Sequence, residues 1–330
     1  MAGVEKLTVA VTGPTGTFGA GLIPLLQEDV TIGRIVGVAR RPFDPARRGW
    51  TKMEYREGDV RDPAALEDAF AGADVVVHLA FNLTGNAPRE ELRAINVGGT
   101  LNAFRAAGEA GAERFVYASS VAAYGFHPDN PIGMTEDWPV RGAEQLFYSQ
   151  EKAEIEQRLR GARAEHPQLD LYLLRPCIVV GPDAMGAKEV LPGPLASLGR
   201  GLAGVLSKLP LPLFSVPLPV PVQFVHQDDV GQAFMRCIAG DGPPGPYNLA
   251  GDGVLAGDEV VRELGLTPLP MPSAVTKAVA GAVARAPLAP PSVGWAEAMT
   301  HPSIMDTTRA KRELGWTPRY SSLEALRDTL

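Results

Sequence analysis

Short apolar runs of strand length recur through the first half of the chain, separated by turns and by mixed stretches with helical spacing. That alternation predicts strands joined by crossover helices in a doubly wound α/β sheet. Leu7 to Val11 is the first such run, and Thr12-Gly13-Pro14-Thr15-Gly16-Thr17-Phe18-Gly19 follows it directly, with a helix predicted over Ala20–Leu26. Arg34–Ala39 reads as a second strand ending in Arg40-Arg41, and Gly58-Asp59-Val60 as the close of a third, ahead of a helix begun by Asp62-Pro63. Asp74–Ala80 forms the fourth. A helix is predicted from Glu91 to Gly108, then a fifth strand from Arg114 that brings the hydroxyls of Ser119 and Ser120 to its C-terminal end. Tyr148 to Gln157 is a charged, helix-forming run.

The second half reads differently. Residues 191–223 are rich in Leu, Pro and Val and hold only Arg200 and Lys208 as cations. Such a stretch suits a pocket for a hydrophobic ligand, or equally a packed helix with a Pro-stiffened loop or an oligomer contact. Its proline spacing excludes a membrane-spanning helix. Residues 266–300, Pro- and Ala-rich, read as a small cap with two helical pieces. Trp295, Phe214 and Phe147 are candidates for lining a pocket, with core packing as the other reading. The expected division is a Rossmann-type dinucleotide-binding domain over 1–182, to which 224–250 returns, and a substrate-binding region over 183–223 and 251–330.

Composition narrows the class. A chain of 330 residues with 45% apolar and 21% charged residues is long enough for one large domain or two ordinary ones. The balance of 31 cations and 38 anions gives a net charge of −7, which argues against nucleic acid or an anionic membrane as the main partner. Two distant cysteines, Cys177 and Cys237, without CxxC or Cys/His spacing, indicate neither a disulfide framework nor a metal site. No signal-peptide layout opens the sequence, so a cytoplasmic protein acting on a small molecule is expected.

Strand, glycine turn and helix in succession form the context a dinucleotide fingerprint requires. Gly13 permits the tight turn, Gly16 lets backbone approach a pyrophosphate, and Gly19 lets helix and strand pack closely, leaving the phosphates at a helix N-terminus. Thr15, Thr17 and Phe18 complete that turn. Ala39 stands where an NAD-binding site would place a carboxylate for the adenosine ribose, and Arg40 and Arg41 suit a 2′-phosphate, so NADP(H) is expected over NAD(H). Asp59 with Val60 could receive the adenine, although Asp59 could instead serve as a helix cap. Leu79 and Ala80 are small enough to admit the nicotinamide ribose. His78, within its strand, reads as structural. Asn96 could hold a relay water or bond neighbouring backbone. Tyr148 and Lys152, four residues apart on a helix, project from one face, where an ammonium could draw a phenol of ordinary pKa about 10 toward the range useful for acid/base catalysis.

In these segments the chain resembles the extended branch of the short-chain dehydrogenase/reductase superfamily, often called the epimerase/dehydratase family. The matching pieces are TGPTGTFG (12–19), GDV (58–60), HLA (78–80), NVGGT (96–100), ASSVAAYG (118–125), YSQEK (148–152), LRPCIVVGP (174–182), FVHQDDV (224–230), YNLAG (247–251) and DTTRAKRELGWTP (306–318). They fall in order and span nearly the whole chain. The resemblance implies Tyr148 as catalytic acid/base, Lys152 as the residue that lowers its pKa while bonding the nicotinamide ribose, and Ser120 as the hydroxyl orienting the substrate oxygen. It also implies Thr17 and Phe18 against the pyrophosphate, Asp59 and Val60 at the adenine, Leu79, Ala80 and Asn96 on the nicotinamide side, and Pro176 and Cys177 beside the nicotinamide. Relatives commonly dimerise through the Tyr148 helix and the Leu92–Gly108 helix, so a homodimer is expected.

Two departures bear on substrate. Dehydratases of this branch carry an acidic pair after the catalytic hydroxyl, where this chain has Val121 and Ala122. Sugar-nucleotide enzymes usually place an Asn shortly after the Arg of LRP, where this chain has Ile178 and Val179. The expectation is therefore an NADP(H)-preferring carbonyl reductase or alcohol dehydrogenase for a small to medium, largely apolar substrate. The alternatives are a nucleotide-sugar 4-epimerase with bound NAD and, from another class, a non-catalytic cofactor-binding sensor.

Overall fold

The computed structural model describes residues 6–83, 88–184, 214–215, 217–269 and 301–330, together with Val275 and Ala298. In chain order the strands are β1 (Leu7–Thr12), β2 (Ile32–Ala39), β3 (Met53–Glu57), β4 (Val75–His78), β5 (Arg114–Ala118), β6 (Asp170–Pro176), β7 (Ile178–Val180), β8 (Phe214–Ser215), β9 (Phe224–His226), β10 (Gly245–Leu249) and β11 (Thr267–Pro268). Helices are α1 (Thr17–Glu28), α2 (Pro63–Phe70), α3 (Arg89–Arg93), α4 (Gly99–Glu109), α5 (Phe147–Ala162), α6 (Gln227–Ala239), α7 (Gly257–Glu263), α8 (Thr308–Glu313) and α9 (Ser322–Asp328).

Seven strands pair in parallel in the order β10-β6-β5-β4-β1-β2-β3. The order reverses between β1 and β4, so the crevice beyond their C-terminal ends is where an open α/β sheet takes its ligand. Both faces are covered. Val9 and Val11 of β1 pack with Leu22 and Phe234 of α1 and α6, while Ala10 between them joins Leu66, Phe104 and Leu159 of α2, α4 and α5. This is why the central strands are apolar at nearly every position. Helices α1 and α6 cross so closely that a Cβ on Gly21 would overlap the Gln227 carbonyl, and one on Gly231 the Gly21 carbonyl.

Observed boundaries depart from the expected ones in two places that matter for the site. β3 ends at Glu57, so Gly58-Asp59-Val60 form the turn beyond it; Asp62 caps α2 by accepting from Ala64 and Ala65, with Pro63 in the first turn. The helix expected from Glu91 to Gly108 contains a π-helical turn, Ala94–Gly98, around Asn96. One extra residue in that turn leaves the sequence pattern on either side helical, so periodicity does not reveal it.

The C-terminal segment is locked to α6. Asp229, fully buried, accepts from the backbone N–H of Arg319 at 2.9 Å and Tyr320 at 3.1 Å, and Trp316 donates to the Asp229 carbonyl at 2.8 Å. Among the described residues no helix is long and apolar enough to cross a membrane. Most of 183–223, most of 270–300 and Trp295 lie outside the described residues, as does the side chain of Phe214; Phe147 is half-buried at the start of α5.

Candidate active site

The β1–α1 turn begins at Gly13, whose φ of 67° lies in the left-handed region that favours glycine. Its N–H donates to Val38 O at 2.9 Å, and a Cβ there would lie 3.0 Å from the Ala80 backbone, so the turn rests against the end of β4. A Cβ on Gly19 would overlap the Pro14 carbonyl. Gly16 caps α1 without a side chain to accept from the first-turn N–H groups. The helix therefore presents donors and its positive end toward the crevice, which fits a pyrophosphate. Thr15 is exposed and Thr17 half-buried. The half-buried Phe18 packs its ring edge-on against Phe234, 6.1 Å between centroids.

Arg40 and Arg41 lie just past β2, both exposed and without an ion pair among the described residues. Asp59 is held by Arg61, whose backbone N–H donates at 2.9 Å and whose guanidinium contacts both carboxylate oxygens at 2.7 and 3.0 Å. These bonds, with the Arg40 charge adding, keep its carboxyl below the usual range. Val60 is buried and packs against Gly99 of α4.

At the nicotinamide end, His78 is fully buried between Thr12 Oγ1 at 2.9 Å and Thr100 Oγ1 at 3.1 Å. Thr100 donates to Asn96 O at 2.6 Å, so it accepts from Nε2–H of His78; Nδ1 then accepts from Thr12, whose oxygen receives the Ala80 N–H at 3.2 Å. Burial pushes the imidazole down to about 3, leaving it neutral. Its work is to fix the ends of β1 and β4, beside Leu79 and Ala80. The Asn96 amide is committed as well. Its oxygen accepts from Asn82 N–H at 2.7 Å, and its nitrogen donates to Asn82 O at 3.1 Å and Glu151 Oε2 at 2.8 Å. Pro176 ends β6, and Cys177, its thiol pushed up by burial, donates its N–H to Leu249 O at 2.9 Å.

Tyr148 and Ser120 share a hydrogen bond, and Ser120 Oγ also accepts from Ala122 N–H at 3.1 Å. Tyr148 is half-buried by surface area but closely surrounded, and burial pushes its phenol up to about 12, against the lowering effect of Ser120. The Lys152 amine is directed to the end of β5. Its Nζ donates to Ala118 O at 2.6 Å and Tyr117 Oη at 3.0 Å, and lies 5.7 Å from the Tyr148 ring centroid. The side chain runs from α5 straight onto the end of β5, where that carbonyl and phenol are the acceptors within reach. Burial lowers Lys152 to about 7, with Glu156 and Glu151 opposing. Neighbouring Ser119 turns inward to donate to Glu156 Oε1 at 2.6 Å.

Sequence reading missed Tyr117, Phe81, Glu156 and Arg175. Only Glu156 carried a usable signal, since it lies four residues after Lys152 on the same helical face. No cluster of His, Cys, Asp or Glu that could hold a metal occurs among the described residues.

The sequence profile of the NAD dependent epimerase/dehydratase family matches residues 9–250. Uncharacterized protein Rv0501 of Mycobacterium tuberculosis is 28% identical over 327 residues, covering 97% of this chain and 82% of that protein. Sterol demethylase protein B of Methylococcus capsulatus is 33% identical over 181 residues, 53% of this chain and 52% of that protein. The crystal structure of UDP-glucose 4-epimerase with UDP-glucose from Thermotoga maritima superposes with a TM-score of 0.74 at 20% identity, covering 98% of this chain and 97% of that one. At that identity the likeness is one of fold.

Proposed function

Because the chain belongs to the NAD dependent epimerase/dehydratase family, we propose that it transfers a hydride between a nicotinamide cofactor and a secondary alcohol or carbonyl carbon of a largely apolar substrate, with Tyr148 as acid/base. The observation that carries the reading is the Tyr148–Ser120 hydrogen bond at the crevice beyond β4 and β5. The bound cofactor supplies or accepts the hydride. A phenol raised to about 12 is protonated at neutral pH, so Tyr148 can give its proton to the oxygen on which negative charge develops. Ser120 supplies the second hydrogen bond to that oxygen. Lys152 holds its amine at the end of β5, 5.7 Å from the Tyr148 ring centroid.

The half-buried Ile178 and Val179, past the LRP segment, give an apolar lining in place of an amide for a diphosphate. Similarity to a sterol demethylase protein over half the chain supports the same direction. The pair Arg40 and Arg41, with no carboxylate at Ala39, supports NADP(H) over NAD(H). Residues 183–223 and 251–330 would form the substrate side, and the faces of α4 and α5 a homodimer; a monomer in sedimentation equilibrium would remove the latter.

A second reading, a nucleotide-sugar 4-epimerase with retained NAD, is favoured by the family's NAD description and by the substrate named for the Thermotoga maritima relative. Purified protein is to be assayed with NADPH and NADH on a panel of apolar ketones, and with UDP- and dTDP-sugars. Ketone reduction abolished in Tyr148→Phe, with cofactor affinity intact, is the expected result. Released NAD and interconversion of sugar nucleotides would establish the second reading instead. Turnover unchanged in Tyr148→Phe would reject Tyr148 as proton donor, and no turnover of any kind would leave a cofactor-binding sensor.

A further inference from the structure

Phe81 stands in the loop after β4, one residue beyond Ala80, and touches both members of the Tyr148/Lys152 pair. Its ring meets that of Tyr148 edge to face, 5.4 Å between centroids with planes at 90°. The Lys152 Nζ lies 4.0 Å from the centre of the Phe81 ring, nearer than to the Tyr117 ring at 4.7 Å. The next residue is clamped: Asn96 bonds both the N–H and the carbonyl of Asn82, and its amide nitrogen is held by Glu151, the residue before Lys152 on α5. A closed circuit results, in which α5 fixes the loop through Glu151, Asn96 and Asn82, and the loop returns through Phe81 to Lys152 and Tyr148.

We propose that Phe81 is a positioning residue of this site, whose ring face holds the Lys152 ammonium and whose contact with Tyr148 keeps phenol and amine in register. The proposal rests on the hydride-transfer reading above. The physical case is one of accounting for three N–H groups on a buried amine. Lys152 is 2% exposed; two of its donors go to Ala118 O and Tyr117 Oη. The ammonium also faces the negative face of an aromatic ring, an attraction that strengthens on desolvation. An aliphatic side chain of similar volume would fill the same space without that attraction. The charged and titratable groups facing Lys152 are Glu151 and Glu156 on its own helix, Tyr148, Tyr117 of β5 and the neutral His78 of β4.

The full chain, labelled with 13C at lysine Cε, is to be titrated between pH 5 and 9, with the Lys152 resonance assigned by its loss in Lys152→Met. In Phe81→Leu the Lys152 ionisation constant should rise by roughly five- to twentyfold, seen as a midpoint moved to lower pH, whereas Phe81→Tyr should stay within about twofold of the wild type. Phe81→Met replaces Phe81→Leu should the latter lack the wild-type far-UV circular dichroism. A Leu or Met variant with an unshifted midpoint, or a Tyr variant shifted as far as the Leu variant, would overturn the proposal and leave Phe81 as packing. Because the titration needs no turnover, such a failure is separate from that of the hydride-transfer reading, which Tyr148→Phe tests.

Discussion

Glu156 and Arg175 face each other in the interior with neither side chain exposed, joined by Nε to Oε1 at 2.8 Å and Nη2 to Oε2 at 2.6 Å. The pair ties α5 to β6, and through Ser119 it reaches the end of β5; Arg175 also donates to Tyr124 Oη at 2.6 Å, which bonds Asn248 of β10 at 2.7 Å. Removing Glu156 strips the buried guanidinium of its carboxylate partner, whereas removing Arg175 leaves Glu156 with Arg160 at 2.8 Å and Ser119 at 2.6 Å, so Glu156→Leu alone should cost about 3–5 kcal/mol and Arg175→Met less, while the double variant should recover much of the Glu156→Leu loss. Urea unfolding of the four proteins measures it. Single variants within about 1 kcal/mol of the wild type, or a double variant equal to the sum of the two, would show that the pair does not hold α5.

That network explains what could be read in advance and what could not. β1, the glycine turn and the start of α1 depend on neighbours a few residues apart, and apolar runs and glycines announce them. Tyr148 and Lys152 were legible as a pair because four residues make about one turn. Where the Lys152 amine goes was not, since its acceptors, Tyr117 Oη and Ala118 O, lie 35 and 34 residues away. Phe81 escaped for the same reason: a single aromatic in a loop has no periodicity, and its partners are set by the docking of α5 on β5. Arg61 also engages the Asp59 carboxylate, a contact that the glycine-turn pattern does not announce.

Ser120 works against the burial of Tyr148, its hydrogen bond lowering a phenol that burial raises to about 12. In Ser120→Ala that counterweight disappears, so the alkaline limb of the reductive rate, set by loss of the Tyr148 proton, should move to higher pH. The rate itself should fall by about 10²-fold, the scale of losing one donor to a developing oxyanion. A pH profile of kcat for the ketone identified with the wild type checks both; an alkaline limb moved downward contradicts the assignment.

Lys152 makes stability depend on pH in a window that can be named. Its amine, lowered by burial from 10.5 to about 7, is neutral in the native protein where the unfolded chain still binds a proton. The unfolded state therefore carries more protons above pH 7, and unfolding free energy rises with pH. Between pH 7 and 9 the gain should be roughly 2 kcal/mol. Higher up, the thiols of Cys177 and Cys237 and the phenol of Tyr148, all raised by burial, retain protons that the unfolded chain sheds, and the slope reverses. Lys152→Met should flatten the rise from pH 7 to 9 in denaturant titrations. An equal slope in that variant would mean that some other group supplies the effect.

Arg40 and Arg41 are free of ion pairs among the described residues, and the strand before them ends in Ala39, which brings no side-chain carboxylate for a ribose diol. A 2′-phosphate would meet two exposed guanidiniums and, behind them, an Asp59 carboxylate already engaged by Arg61. Replacing both arginines by Ala should weaken NADP⁺ at least tenfold, the scale of charge-assisted bonds to phosphate, and change NAD⁺ by no more than about twofold. Wild-type affinity for NADP⁺ should also fall more steeply with salt than that for NAD⁺, since the additional contact is one between exposed charges. Calorimetric titration of both cofactors into both proteins tests the pair together. Parallel losses for NADP⁺ and NAD⁺ would mean that the arginines act on the shared pyrophosphate, and the cofactor preference would then have to come from elsewhere in the crevice.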